Sequence, residues 1–186
     1  DKVKKYQLIG KASAGLSANI HSPISGTIRE ISDCELADGS KVQAIVIEND
    51  WKYEEIELTV QSTEPTDDEI VEKIRNSGIV GEGGAQFPTD IKYNLGGSVI
   101  HTFIINGTEC EPYLSADYVL MEQHTEELLE GICTINKVLN AKDVVITIEE
   151  QNKDLTNRFA PFLSKEKYKH IRIVVLPNEY PQGGEL

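Results

Sequence analysis

The second half of the chain alternates between two periods, and this constrains the fold more than any other feature. HTFIING (101–107), DVVITIEE (143–150) and IRIVVLP (171–177) are short apolar, β-branched runs that read as strands. HTEELLEGICTINKVLN (124–140) sits between the first two. It places Leu128, Ile132, Ile135 and Leu139 on one helical face, and Asn140 can end the helix. Residues 151–164 read as a second helix before the last strand. Strands joined through helices cannot pair as hairpins. The order therefore predicts a parallel α/β sheet with right-handed crossovers, with HTFIING as a buried strand.

The first half follows another grammar. Leu8, Ile9 and Ile20 mark short strands. SPISGTIREI (22–31) turns at Pro and Gly and then alternates, and KVQAIVIEN (41–49) follows an Asp38-Gly39 turn. With no helical period, this reads as a small all-β module, and Asp1 as lying in a turn. Residues 50–65 are polar and acidic and read as a linker, which puts a domain boundary between 60 and 61. Thr66-Asp67-Asp68-Glu69 then forms a capping box with Thr66 as N-cap and Glu69 at N3. Ile70, Val71 and Ile74 share one face, and Asn76-Ser77-Gly78 stops the helix on a left-handed glycine. The expected layout is a β-rich module over 1–60 and an α/β domain over 61–186, part of a longer chain.

Charge and cysteine count narrow the function. A net charge of −13 argues against binding a nucleic-acid backbone. No apolar run approaches the roughly 20 residues of a membrane-spanning helix. The cysteines are Cys34, Cys110 and Cys133, widely spaced and without a CxxC pair. They argue against a zinc site or iron–sulfur cluster built from these residues alone, and fit a reducing, cytoplasmic compartment. Cys34 and Cys133 read as inert. Glu109 and Glu111 flank Cys110 and disfavour a thiolate there. The four histidines fall into no triad spacing, and no catalytic or metal-ligating residue is assigned.

Two stretches carry the chemistry. GIVGEGGAQFPTD (78–90) holds Gly78, Gly81, Gly83 and Gly84. It is no P-loop, because no Gly-Lys-Ser/Thr follows. It is no dinucleotide fingerprint, because a helix precedes it and Gln86 stands where the third glycine would be. A structural turn and a backbone cradle for an anionic or planar ligand both remain open. Gly83-Gly84 favours the cradle, whereas Glu82 opposes a phosphate at its side chain. Phe87 is either core or a stacking ring. Lys92 is either solvated or a phosphate partner. The second stretch, Asn106 to Pro112 (NGTECEP), follows a predicted strand, where ligands of open α/β sheets sit. Asn106 offers donor and acceptor. Glu109 and Glu111 are either solvated charges or contacts, and Asp117 is a weaker candidate.

Taken together, GIVGEGGAQFPTDIK, FIINGTECEPYLSADYVLMEQHTEEL and the terminal YPQGGE resemble the flavin-binding region of the RnfC subunit of ion-translocating ferredoxin:NAD oxidoreductases. More distantly they resemble the flavin subunit of respiratory complex I. IHSPISGTIREI (20–31) is similar to the barrel-sandwich, biotinyl/lipoyl-like module of RnfC, without the lysine that carries a lipoyl or biotinyl group. A related pattern is the RnfC-like electron-transfer protein associated with clostridial proline reductase.

The resemblance implies FMN and NAD(H) as cofactors, with hydride transfer between them and passage of electrons to 4Fe-4S clusters beyond this stretch. It implies that Gly81, Gly83 and Gly84 line the flavin, and that Lys92 binds its phosphate. Asn106, Thr108 and Glu109 would contact the flavin, Phe87 would stack on the NADH nucleotide, and Gly183, Gly184 and Glu185 would border the nicotinamide. Other members of an Rnf complex or a soluble reductase would be the partners, on the cytoplasmic face of a membrane without a span of its own. The alternative is an inactive, RnfC-like scaffolding subunit. Gln86 departs from the small residue usual in the family, and its bulk is expected to narrow the cofactor pocket.

Overall fold

In the computed structural model, which describes residues 1–58, 63–82, 86–109 and 113–180, the chain forms two compact units, Asp1–Lys92 and Tyr93–Leu186. In the first unit, β1 (Lys2–Val3), β4 (Gly26–Glu35) and β5 (Lys41–Asn49) form an antiparallel sheet in the order β1-β4-β5. β2 (Leu8–Gly10) and β3 (Ile20–His21) pair separately. Lys2 and Val3 pair with Thr27 and Gly26, so the chain starts in a strand and not in the expected turn.

The polar stretch after β5 is no free linker as far as residue 56. Ser25 Oγ donates to Asp50 Oδ1 at 2.6 Å and accepts from the Glu54 amide at 3.0 Å. The Lys5 amide donates to the Glu54 carbonyl at 2.8 Å, and the Ile56 amide to the Lys5 carbonyl at 3.2 Å. Composition suggested a linker because these polar groups point to water in isolation. Here the Ser25 hydroxyl and the Lys5 backbone satisfy them.

α1 (Asp67–Asn76) starts on the expected capping box, with Glu69 N donating to Thr66 Oγ1 and Thr66 N donating to Glu69 Oε2. It ends at Ser77, and Gly78 takes a left-handed φ of +66°. Gly78 has a second reason to be glycine: a Cβ there would lie 2.1 Å from the Asn19 carbonyl oxygen. Asn19 Nδ2 also donates to the Asn76 carbonyl at 3.2 Å, so the helix end is pinned to the loop before β3. Beyond it, Val80 and Pro88 form an antiparallel bridge and α2 (Thr89–Lys92) follows. Arg75 Nε donates to the buried Asp90 carboxylate at 2.8 Å and ties α2 to α1.

The second unit holds a parallel sheet of β6 (Thr102–Gly107), β7 (Asp143–Glu149) and β8 (Ile171–Leu176), in the order β6-β7-β8. Helices α3 (Ala116–Gln123), α4 (Thr125–Leu139) and α5 (Leu155–Leu163) accompany it, with a 3₁₀ turn at Glu150–Asn152. The parallel arrangement matches the alternation of periods. The placement of HTFIING does not: β6 is an edge strand, and its Ile104 is 58% exposed. The buried strand is β7, whose Val144, Ile146 and Ile148 pack with Leu129 of α4 and Phe159 of α5. An apolar run does not reveal whether a strand lies at the edge or the centre of its sheet. On α4 the buried positions are Leu129, Ile132 and Leu139, with Leu128 and Ile135 half-buried, and Asn140 ends the helix at φ +48°. α3 was not anticipated. It has little amphipathic contrast, and Ser115 makes no side-chain cap. Among the described residues no helix is long and apolar enough to cross a membrane.

Candidate functional site

The expected site residues that the structure describes fall into one group in each unit. In the first unit the described part of the glycine stretch is closed at its base by two backbone bonds. The Gly81 amide donates to the Phe87 carbonyl at 2.9 Å, and the Thr89 amide to the Ile79 carbonyl at 3.0 Å. Gly81 differs from Gly78. Its φ is not left-handed, and a Cβ there would meet no described atom closer than 3.8 Å. The two atoms it would meet at that distance are Lys92 Nζ and the Phe87 carbonyl oxygen. Lys92 is exposed and enters no ion pair among the described residues. Among the described residues, nothing comes closer to that Cβ position, and no carboxylate pairs with the ammonium. Phe87 is half-buried. Gln86 is exposed and takes φ +48°, so the position asks for left-handed backbone, which glycine adopts at lower cost. Gly83 and Gly84 lie outside the described residues.

In the second unit a cavity of about 560 Å³ opens at the carboxyl ends of the three parallel strands. This is where open α/β sheets place ligands, and its volume falls within the ordinary range for small-molecule sites. Glu109 lies beyond β6, Glu149 ends β7, and Asn178 to Tyr180 follow β8. Gly107, the last residue of β6, packs so closely that a Cβ would stand 2.7 Å from the Thr147 carbonyl oxygen and 2.9 Å from Met121 Sδ. Asn106 Oδ1 accepts from the amide and hydroxyl of the buried Thr108, which folds the chain back after the strand.

Glu109 supplies the cap that Ser115 does not. Its carboxylate accepts from the Asp117 amide at 3.0 Å and the Tyr118 amide at 3.4 Å, where the helix dipole favours negative charge. Burial, and then the Glu109 charge, push the Asp117 carboxyl above its ordinary range. Tyr118 Oη donates to Asp154 Oδ2 at 2.7 Å, and this bond holds the phenol protonated to higher pH. The Gln151 amide donates to Asn178 Oδ1 at 3.1 Å and ties the end of β7 to the segment after β8.

Of the residues expected from sequence in this unit, Asn106, Thr108 and Glu109 thus stand together, and Glu109 lines the cavity. Gly183, Gly184 and Glu185 lie outside the described residues, as do Cys110 and Glu111. Cys133 is half-buried and burial pushes its thiol up, whereas Cys34 is exposed on β4. Sequence reasoning missed Tyr113, Glu149, Asp154 and Tyr180. The signal that could have found them is the placement of ligands beyond strand carboxyl ends. Extended from the first strand to all three, it points to 149–154 and 178–180 as well.

The model of the Nuo51 FMN-binding domain matches residues 74–186. The chain belongs to that family. The match begins inside α1, so the family region takes in the glycine stretch and Lys92 along with the second unit. The RnfC barrel sandwich hybrid domain matches residues 1–52, ahead of the FMN-binding domain. One component of the proton-translocating ferredoxin:NAD(+) oxidoreductase complex of Clostridium ljungdahlii is 39% identical, over all of this chain and 41% of its own length. The corresponding component of the ion-translocating oxidoreductase complex of Rhodobacter capsulatus is 37% identical, over all of this chain and 36% of its own length. The chain thus spans well under half the length of these relatives. Among solved structures, an NAD+-reducing [NiFe]-hydrogenase in the H2-reduced state shares the fold. It has a TM-score of 0.54 and 20% identity, over 64% of this chain and 22% of that one.

The residues present suit the cofactor that the family name implies. Gly81 leaves room beside Lys92 for an anion. The cavity offers aromatic rings at Tyr113, Tyr118 and Tyr180, and acceptors for hydroxyl and amide groups.

Proposed function

We propose that this chain is the nucleotide-binding part of an electron-transfer flavoprotein subunit that holds FMN and works with NAD(H). One observation carries the reading. Among the described residues Gly81 has neither a left-handed backbone nor a close neighbour to require glycine, yet a Cβ there would lie 3.8 Å from the Lys92 ammonium. A glycine without a structural duty beside an unpaired lysine fits a backbone kept bare for a phosphate.

When bound, FMN supplies hydride acceptance from a nicotinamide and onward release of single electrons. The chain's residues bind and orient. Lys92 neutralises phosphate charge, and Gly81, with Gly83 and Gly84, lets the ligand reach the backbone. Phe87 offers an aromatic face to a nucleotide ring. Asn106, Thr108 and Glu109 shape the loop after β6, and Gly183, Gly184 and Glu185 border the nicotinamide. Onward carriers are 4Fe-4S clusters in the portion of the longer protein that this chain does not cover. Partners are further members of a membrane-associated complex, met on its cytoplasmic face, or a soluble reductase.

The test uses the full-length protein reconstituted with FMN. Visible flavin absorption that bleaches on addition of NADH is expected, and Gly81→Val and Lys92→Gln should each lose flavin at unchanged melting temperature. No bound flavin and no bleaching would sink the reading. A second reading, an inactive scaffold, draws on Glu109, whose carboxylate is engaged in capping α3. It requires Gly81→Val to leave ligand binding untouched.

A further inference from the structure

Glu149 is the last residue of β7, the middle strand, and is only 5% exposed, yet it lines the cavity. A carboxylate this deep needs donors or a cation to offset its lost hydration. It has one neutral donor: Gln151 Nε2 gives a hydrogen bond to Oε2 at 2.7 Å. No ion pair among the described residues includes it. No fully buried side-chain oxygen among the described residues lacks a partner, so Oε1 is not sealed inside protein. Glu149 is among the residues that line the cavity. The fold thus carries a buried carboxyl group with one hydrogen bond among the described residues, from Gln151 to Oε2.

The surrounding lining sharpens what can complete it. Glu109 is occupied by the α3 amides and Asp154 by the Tyr118 hydroxyl, while Glu179 adds a further carboxylate. The lining contains no lysine or arginine among the described residues. A phosphate is repelled here, while a neutral group rich in O–H or N–H donors is attracted.

We infer that Glu149 is a ligand-binding residue, accepting a hydroxyl or amide donor from the unphosphorylated part of a bound nucleotide. This rests on the proposed nucleotide-binding function and adds to it a residue and the portion of ligand it reads. The donor chemistry is shared by the ring and ribityl chain of a flavin and by the ribose and carboxamide of a nicotinamide nucleotide.

The experiment compares full-length wild type with Glu149→Gln and Glu149→Leu. It measures the melting temperature of flavin-free protein, the dissociation constant for FMN by fluorescence quenching, and KM and kcat for NADH with ferricyanide as acceptor. A residue kept for its ligand destabilises the empty fold, so the flavin-free variants should melt at or above the wild-type temperature. Binding of one nucleotide should weaken by about 10- to 100-fold, the worth of a charged hydrogen bond, with kcat changed much less. A rise in the FMN constant assigns the donor to the flavin, and a rise in KM for NADH assigns it to the nicotinamide nucleotide. Variants that bind both nucleotides as wild type does would overturn the inference alone. So would variants that fail to fold or melt lower when empty, since Glu149 would then serve the fold. Wild type that binds neither nucleotide would overturn the proposed function with it.

Discussion

The two units keep their shape by different means. In the second, Leu129, Val144, Ile146, Ile148 and Phe159 are fully buried and come from a strand and two helices that wrap one core. In the first, the buried hydrophobics among the described residues are Val3 and Ile70, while Ile31 is 63% and Trp51 76% exposed. Its elements are joined by close backbone contacts and a polar bridge instead: Gly26 against the Glu48 carbonyl, Gly78 against the Asn19 carbonyl, and the Ser25 hydroxyl bridging Asp50 and Glu54. The difference teaches that a substitution removing apolar volume should hurt the second unit most. In the first, the damaging substitutions are those that add a Cβ or remove a polar bridge.

The sharpest break of this contrast is Phe159→Ala. It should cost about 3–5 kcal/mol in denaturant unfolding of the second unit. The counterpart in the first is Gly78→Ala. It must carry a left-handed alanine, costing about 1–2 kcal/mol, and also move the Asn19 backbone, so the total should exceed that figure. Thermal melts that leave Gly78→Ala within error of wild type would remove the backbone-contact account. Thr66→Ala strips the capping box of α1 and should cost about 1 kcal/mol, read as lost helix stability by hydrogen exchange over Ile70 to Ile74. Gln86→Gly should instead stabilise slightly, by under about 1 kcal/mol, by relieving a left-handed glutamine. Gly81→Ala should leave the melting temperature unmoved, since a Cβ there meets no described atom closer than 3.8 Å. A clear drop would show that Gly81, like Gly78, serves the fold.

Much of the local structure was legible because it depends on neighbouring residues. The capping box at Thr66 and Glu69, the glycine stop at Gly78, the helix end at Asn140 and the strands over 41–49, 143–149 and 171–176 rest on interactions within a few positions. α3 escaped because its N-terminus is capped by Glu109, eight positions upstream of Asp117. The anchoring of residues 50 to 56 escaped because their donors and acceptors find partners at Lys5 and Ser25. In the glycine stretch Gly78 could be set apart as the helix stop, but whether Gly81 is crowded or open could not be read from sequence, since that depends on what distant segments bring near it.

By itself the sequence determined the change from a β-rich start to alternating strands and helices, the parallel pairing forced by helical crossovers, and the membership that its motifs carry. These follow from backbone preferences and from hydrophobic period, both local properties of the chain. The tertiary structure alone decided which strand lies at the centre, which described glycine is crowded and which is open, and that Glu149 is buried beside the cavity with Gln151 as its hydrogen-bond donor. Those properties depend on what distant segments bring to within a few ångströms, and no local pattern encodes that distance.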